Sequence, residues 1–306
     1  MPTTGPAPPP TTTWQTAVGS PRQAISTNKG RFYTWPPDPL ANVDVEKFIS
    51  VTNALSSGIP KPAIARWVQY GTSTFAVENM ELVAQTLKAP NGKKAAIDMI
   101  ANAPYRESEK AMNLGSLIHD CCEAIVLGSP LPAAANDPAS RPFVDAFKQF
   151  VNDFEPSFEA TEATVYSRQY RYAGTFDFIA TIPGYGRVLG DYKTTKPNFK
   201  TGHGIYPETA LQLSAYRHAE FVGMPDGTEV PVPDVDVCWG VNLRPEGYKV
   251  IPLQADEDVF RTFLYALEIA QFVNDGSALV GDPCGPRHLR SDRRPVAAPA
   301  ISALVD

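Results

Sequence analysis

Two runs in the middle of the chain, TFDFIATI (175–182) and RVLGDYKT (187–194), read as the arms of a β-hairpin. Each carries an acid where a strand ordinarily carries an apolar residue. Gly184 and Gly186 supply the turn between them. Side chains two apart on a strand share a face, so Asp191 and Lys193 point the same way and Asp177 can lie opposite them. Two carboxylates buried close together are costly unless something positive lies between them. A divalent cation is the usual remedy, and the pattern therefore points to a metal-dependent phosphodiesterase site. Asp177 and Asp191 would be ligands, the backbone carbonyl of Tyr192 a third, and Lys193 would orient the attacking water or stabilise developing negative charge.

The flanking segments extend this frame. Residues 1–28 are rich in Pro, Thr and Ser and read as a flexible arm. RFYTW (31–35) reads as a short strand and VDVEKFISVTNAL as a strand and turn leading to a helix. Apolar spacing predicts helices over 61–71, 74–88 and 92–104, the last stopped by Pro104. A fourth helix is expected over about 106–127, with Gly115, Ser116, His119 and Glu123 along one stripe. Its small residues would let a strand approach closely. Another helix is expected at about 138–154. EATVYS (162–167) alternates as a strand. Residues 207–223 read as a helix with Pro at its first turn. Strands at 234–243 and 248–253 and an amphipathic helix over 255–275 follow. This order implies one α/β domain with a central mixed sheet, the earlier helices packed on or beside it.

Composition narrows the partners. The 306 residues carry a formal net charge of −6, so nucleic acid would have to be met by local positive charge. Lys61, Arg66, Lys93, Lys94, Arg106 and Lys110 are candidates for backbone contacts. Trp67 reads as core packing, with base stacking as its other use. The tail cluster Arg287, His288, Arg290, Arg293 and Arg294 reads as solvated. Cys121, Cys122, Cys238 and Cys284 lack the spacing of a zinc or iron–sulfur site and read as reduced thiols. No apolar run reaches about 18 residues, so no membrane span is expected. The N-terminus lacks the regions of a signal peptide, and a cytoplasmic location is expected, the host cytoplasm for a phage-encoded protein.

Four pieces in order, GSLIH (115–119), GTFD (174–177), GDYKT (190–194) and QLSAY (212–216), resemble the PD-(D/E)XK nuclease superfamily. Within it they are similar to the RecB-like branch, which includes CRISPR-associated RecB-like exonucleases and phage recombination exonucleases. The resemblance covers about 105–255, with a looser likeness to phage members over 31–100. It implies a restriction-endonuclease-like α/β core, a central mixed sheet flanked by helices, at 105–280. A helical N-terminal region (29–104) would pack on that core, and 281–306 would be a disordered tail. It implies metal binding by His119, Asp177, Asp191 and the Tyr192 carbonyl, with Glu123 and Glu162 as further ligand candidates. Glu162 stands where many members carry an acid on the first core strand. It implies catalysis by Lys193, supported by Gln212 and Tyr216, with Mg²⁺ or Mn²⁺ as cofactor; a histidine ligand favours Mn²⁺. The late cysteines of cluster-bearing relatives are missing, so no iron–sulfur cluster is expected.

The expected activity is DNA exonuclease in phage recombination or replication, acting on duplex ends or single strands by in-line attack of water without a covalent intermediate. A recombination or single-strand-annealing protein is a candidate partner. A structure-specific endonuclease with the same site, or a non-catalytic DNA-end-binding recombination partner, are the rival readings. Each residue also has a plainer use: Asp177, Asp191 and Lys193 as hairpin-edge charges, His119 as a satisfied core histidine, Glu123 as a surface acid, and Gln212 and Tyr216 as helix packing.

Overall fold

A computed structural model describes residues 24–27, 30–36, 45–195, 204–275 and 279–281. The strands are β1 (Ala24–Thr27), β2 (Gly30–Trp35), β3 (Glu46–Ser50), β4 (Ser157–Ser167), β5 (Tyr172–Ile182), β6 (Gly186–Thr194), β7 (Phe221–Gly223), β8 (Glu229–Pro231), β9 (Val237–Arg244) and β10 (Gly247–Leu253). The helices are α1 (Val51–Gly58), α2 (Pro62–Glu78), α3 (Met80–Leu87), α4 (Gly92–Ala101), α5 (Ala103–Leu127), α6 (Arg141–Phe154), α7 (Glu208–Arg217) and α8 (Glu257–Asp275), with a short 3-10 turn at Ala133–Asn136.

The ten strands of the described residues join one mixed sheet flanked by helices. Most neighbours are antiparallel; β3 with β5 and β6 with β9 are parallel. One core cluster joins α1, α7 and α8 to the sheet, the second joins α5 and α6, and a small aromatic cluster around Tyr166 closes the β2–β3 end.

The sheet is split beside the hairpin. A strand has two edges, and β4 runs along one edge of β5 from Tyr172 to Thr181. On the other edge β3 pairs with Tyr172 and Ala173, and β6 pairs with Phe178–Ile182. Gly174–Asp177 on that edge therefore have no strand partner among the described residues. The pleat also changes face at the same level. Ala160 and Ala163, three apart on β4, share a core cluster, as do Phe176 and Ile179 on β5. Strict period-2 alternation would place each pair on opposite faces. The switch on β4 occurs at Glu162, whose φ of 47° lies in the left-handed region, an uncommon and strained conformation for a glutamate.

Several boundaries differ from the sequence expectation. The first helical stretch breaks at Asn79, not at 72–73, because the Asn79 side chain donates to the Phe75 carbonyl and ends α2 there. Pro104 does not stop a helix; it occupies the first turn of α5, where its missing N–H costs nothing. The 207–223 segment is helical only to Arg217: Phe221–Gly223 peel off as β7 to pair with β4. Ala24–Thr27, inside the stretch read as a flexible arm, pair with β2. Residues 1–23 and the arginine-rich tail lie outside the described residues. Trp67 is 46% exposed and not part of a core. An added Cβ at Gly115 would meet Thr194 Oγ1 at 3.5 Å, an ordinary contact, so the approach of α5 to β6 does not require glycine.

Candidate metal centre

The split in the sheet opens into a cleft of about 400 Å³. Its polar lining comes from β2 (Arg31, Tyr33), α1 (Thr52), α5 (Ser116, His119, Asp120, Glu123), β4 (Glu162), β5 (Thr175, Asp177), β6 (Asp191, Lys193) and α7 (Gln212, Tyr216). Every side chain singled out from sequence for the site lines this cleft; Tyr192 contributes its backbone.

The geometry around Tyr192 follows from the missing strand partner. Its N–H donates to Asp177 Oδ2, and its carbonyl lies 3.1 Å from His119 Nε2, which donates to it when protonated. A carboxylate and an imidazole thus occupy ladder positions that a neighbouring strand would otherwise fill. The Tyr192 ring points into the α5–α6 core, stacked on Phe178 at 5.0 Å. The other imidazole nitrogen, Nδ1, lies 3.3 Å from Asp177 Oδ1 and 3.7 Å from Glu162 Oε1.

Ligand atoms of His119, Glu162 and Asp177 all lie within 4.8 Å of one another. Asp191 is outside this group. Its Oδ1 accepts from Gln212 Nε2 at 3.0 Å, and its Oδ2 faces the Lys193 ammonium in an ion pair. Glu162, a subsidiary ligand candidate from sequence, stands at the centre; the left-handed backbone at 162 turns its side chain toward Asp177. Glu123 lines the cleft with a buried Oε1 that has no hydrogen-bond partner among the described residues.

Burial and charge divide the ionisable groups. Burial pushes Glu162 up to about 7, against the opposing pull of His119. Burial would also raise Asp177, but the imidazole of His119, then Lys193 and the Tyr192 N–H, hold its carboxyl below the ordinary range. His119 is held well above an ordinary histidine: burial lowers it, and Asp177 and Glu162 more than compensate. Asp191 is raised by burial despite Lys193. Lys193, which burial would discharge, is kept charged by Asp191 and Asp177. These are opposed shifts among neighbouring groups, the pattern that functional clefts concentrate.

An imidazole and two carboxylates form an oxygen-rich donor set with one nitrogen, which fits Mg²⁺ or Mn²⁺ and favours the latter; the Tyr192 carbonyl sits on the far nitrogen of His119. Cys121, Cys122 and Cys238 are free and buried; Cys122 lies behind the cluster, where burial and then the charges of Asp177 and Glu162 hold its thiol protonated. The protons on His119 and Glu162 give a measurable signature. Both groups are raised, so both hold protons near neutrality and must lose them on ligation. Mn²⁺ affinity should rise from pH 6 to pH 8, by up to about tenfold per pH unit for each proton displaced. Calorimetric titration in buffers of different ionisation enthalpy would detect the released protons; an affinity flat across that range would rule out ligation by these two groups.

Gln212 and Tyr216 form a positioning arm. Gln212 Nε2 donates to Asp191 Oδ1 and, at 2.9 Å, to the Tyr216 hydroxyl, using both of its hydrogens. The Tyr216 ring rests on the backbone at Gly174, where an added Cβ would lie 2.4 Å from Cε1. The glycine of GTFD is thus required by the tyrosine of QLSAY.

Arg31, Tyr33 and Thr52 were not visible as site residues from sequence. Tyr33 reaches Thr175 across the split, hydroxyl to hydroxyl at 3.0 Å, a partnership 142 residues apart with no local signature. No helix among the described residues is long and apolar enough to cross a membrane.

No protein-family model matches the chain, and no curated protein matches it. Among solved structures, the crystal structure of SSO0001 matches over 76% of this chain and 79% of its own, at 15% identity and a TM-score of 0.33.

Proposed function

We propose that the chain is a metal-dependent deoxyribonuclease of the PD-(D/E)XK superfamily, an exonuclease of RecB-like type with a restriction-endonuclease-like core. The observation that carries this reading is the convergence of His119, Glu162 and Asp177 with the Asp191–Lys193 pair at a split in the sheet. These residues come from α5, β4, β5 and β6, and no packing requirement brings three acids, an imidazole and an ammonium to one cleft.

His119, Asp177 and Glu162 would hold the ion, with the Tyr192 carbonyl and Asp191 beside them. A bound Mg²⁺ or Mn²⁺ supplies neutralisation of phosphate charge and acidification of water. The chain's own residues do the rest. Lys193, held charged by Asp191, stabilises negative charge developing on the phosphate oxygens and orients the attacking water. Gln212 fixes the Asp191 carboxylate so that the ammonium stays aimed at the cleft, and Tyr216 fixes Gln212. Asp177 anchors the Tyr192 backbone and with it the register of Asp191 and Lys193. Displacement at phosphorus is in line, by water and without a covalent intermediate.

The test is digestion of linear duplex and single-stranded DNA with Mn²⁺ or Mg²⁺, with chelator and Asp191→Ala controls. Metal-dependent loss of linear but not covalently closed circular DNA is expected, and the Asp191→Ala chain should be inactive. Cutting of the closed circle would establish an endonuclease. Binding to DNA ends without hydrolysis under any metal would favour a non-catalytic recombination partner.

A further inference from the structure

The helical excursion between α1 and α5 begins and ends at the cleft. Thr52 on α1 and Ser116 on α5 both line it. Between them the chain makes α2, α3 and α4. At its start, Lys61 at the head of α2 reaches Glu208, in the helix that carries Gln212 and Tyr216, at 3.8 Å. Farther out, α2 packs on the first turn of α5: an added Cβ at Gly71 would lie 3.0 Å from Pro104, and Arg106 lies over the Phe75 ring at 5.4 Å. The excursion is therefore an arm rooted at the cleft mouth.

Its surface is unusual for a helical layer. Neither α2 nor α3 buries a single residue. Trp67 and Tyr70, one turn apart on α2, are 46% and 75% exposed. Large aromatic side chains left in water are the exception in a folded chain and commonly mark contact surfaces. The charge of the arm is also opposite to that of the chain. Residues 61–110 hold seven Lys and Arg against five Asp and Glu, whereas the whole chain is at −6. Arg66, beside Trp67, and Lys88, Lys93 and Lys94 are exposed and have no ion-pair partner among the described residues.

We infer that Trp67 and Tyr70 form a base-stacking site for a single nucleic-acid strand, with Arg66 and the lysines at the end of α3 and on α4 on its phosphates, and that this strand leads into the cleft. Every base has a π-face and every linkage a negative charge, so aromatic rings interleaved with cations fit an unpaired strand of any sequence. A duplex, with its bases stacked inside, offers nothing to the two rings. The inference deepens the nuclease reading and rests on it for the direction of the strand, but the stacking site is tested independently of cleavage.

The experiment measures fluorescence anisotropy of a labelled oligothymidine strand, and of a blunt duplex of equal length, on the full chain in chelator. The variants are Trp67→Ala/Tyr70→Ala and Trp67→Phe/Tyr70→Phe. Both positions are exposed, so thermal melting should not move. The alanine pair should weaken strand binding by about tenfold or more, the phenylalanine pair should restore most of it, and duplex binding should not change. Hydrolysis of bis(p-nitrophenyl) phosphate with Mn²⁺, a diester too small to span from cleft to arm, separates the two readings. Strand binding lost in the alanine pair, with no diester hydrolysis by any form of the chain, sustains the stacking site and overturns the nuclease. Strand binding unchanged in the alanine pair overturns the stacking site, and normal diester hydrolysis in the same variant leaves the nuclease standing. Equal weakening for strand and duplex, or a change of oligomeric state with strand affinity intact, also overturns it, the latter assigning the arm to a second copy of the chain.

Discussion

Lys193→Met is expected to reduce phosphodiester hydrolysis by about 10²–10³-fold while leaving Mn²⁺ binding nearly intact. Asp191 holds the ammonium in an ion pair at the cleft, and Lys193 is not among the three residues grouped for the metal. Methionine keeps the length of the stem and removes only the charge. Asp191, already raised by burial, would lose the neighbour that opposes that shift and take up a proton more readily. The fold should therefore survive, since a protonated carboxyl needs no counter-charge. Rates on linear DNA at saturating Mn²⁺, with calorimetric titration of the metal, give both numbers. Cleavage within a few-fold of the unaltered chain would remove Lys193 from the mechanism, and loss of metal binding would move it into the ligand set.

The second large effect concerns the floor of the site. Gly190 pairs with Phe178 across the hairpin, and an added Cβ there would lie 2.0 Å from Cε1 and Cζ of that ring. Phe178 cannot step aside: it is fully buried, stacked on Tyr192 and in contact with Phe150 and Phe158. Gly190→Ala is expected to cost about 1–3 kcal/mol of stability. Because Asp191 and Tyr192 follow directly, it should also displace the carboxylate and the carbonyl, so activity should fall further than the lost folded fraction explains. Chemical denaturation gives the first quantity and specific activity under strongly native conditions the second. A melt unchanged from that of the parent chain would show that the Phe178 ring has room to move.

The hairpin was legible because period-2 alternation with acids at apolar positions is a local pattern, as was the helix bearing His119. Gln212 and Tyr216 were legible for the same reason, being four apart on one helix. What escaped depends on distant pairing or on backbone that sequence does not announce. Phe221–Gly223 continue the apolar character of α7 and read as helix, yet a free edge of β4 draws them into the sheet. Tyr33 and Arg31 reach the cleft only because β3 carries β2 to the far side of the split. The centrality of Glu162 follows from a left-handed residue in the middle of a strand, and glutamate gives no hint of that conformation. Trp67 reads as core from sequence because tryptophan usually is; the helix that carries it buries no residue.

The parallel contact between β3 and β5 joins Ile49 to Tyr172 and Ser50 to Ala173. During synthesis, more than a hundred residues must leave the ribosome between these partners, and β6 must follow before the other side of the cleft exists. Contacts so far apart in sequence are slow to form. The first strands therefore emerge with an unpaired edge that waits for the second half of the chain, an exposure that invites misassembly. It also means that an N-terminal fragment ending before β6 lacks Asp191, Lys193 and the Tyr192 backbone that Asp177 and His119 engage. A nascent chain acquires its charged cleft only when its synthesis is well past the midpoint.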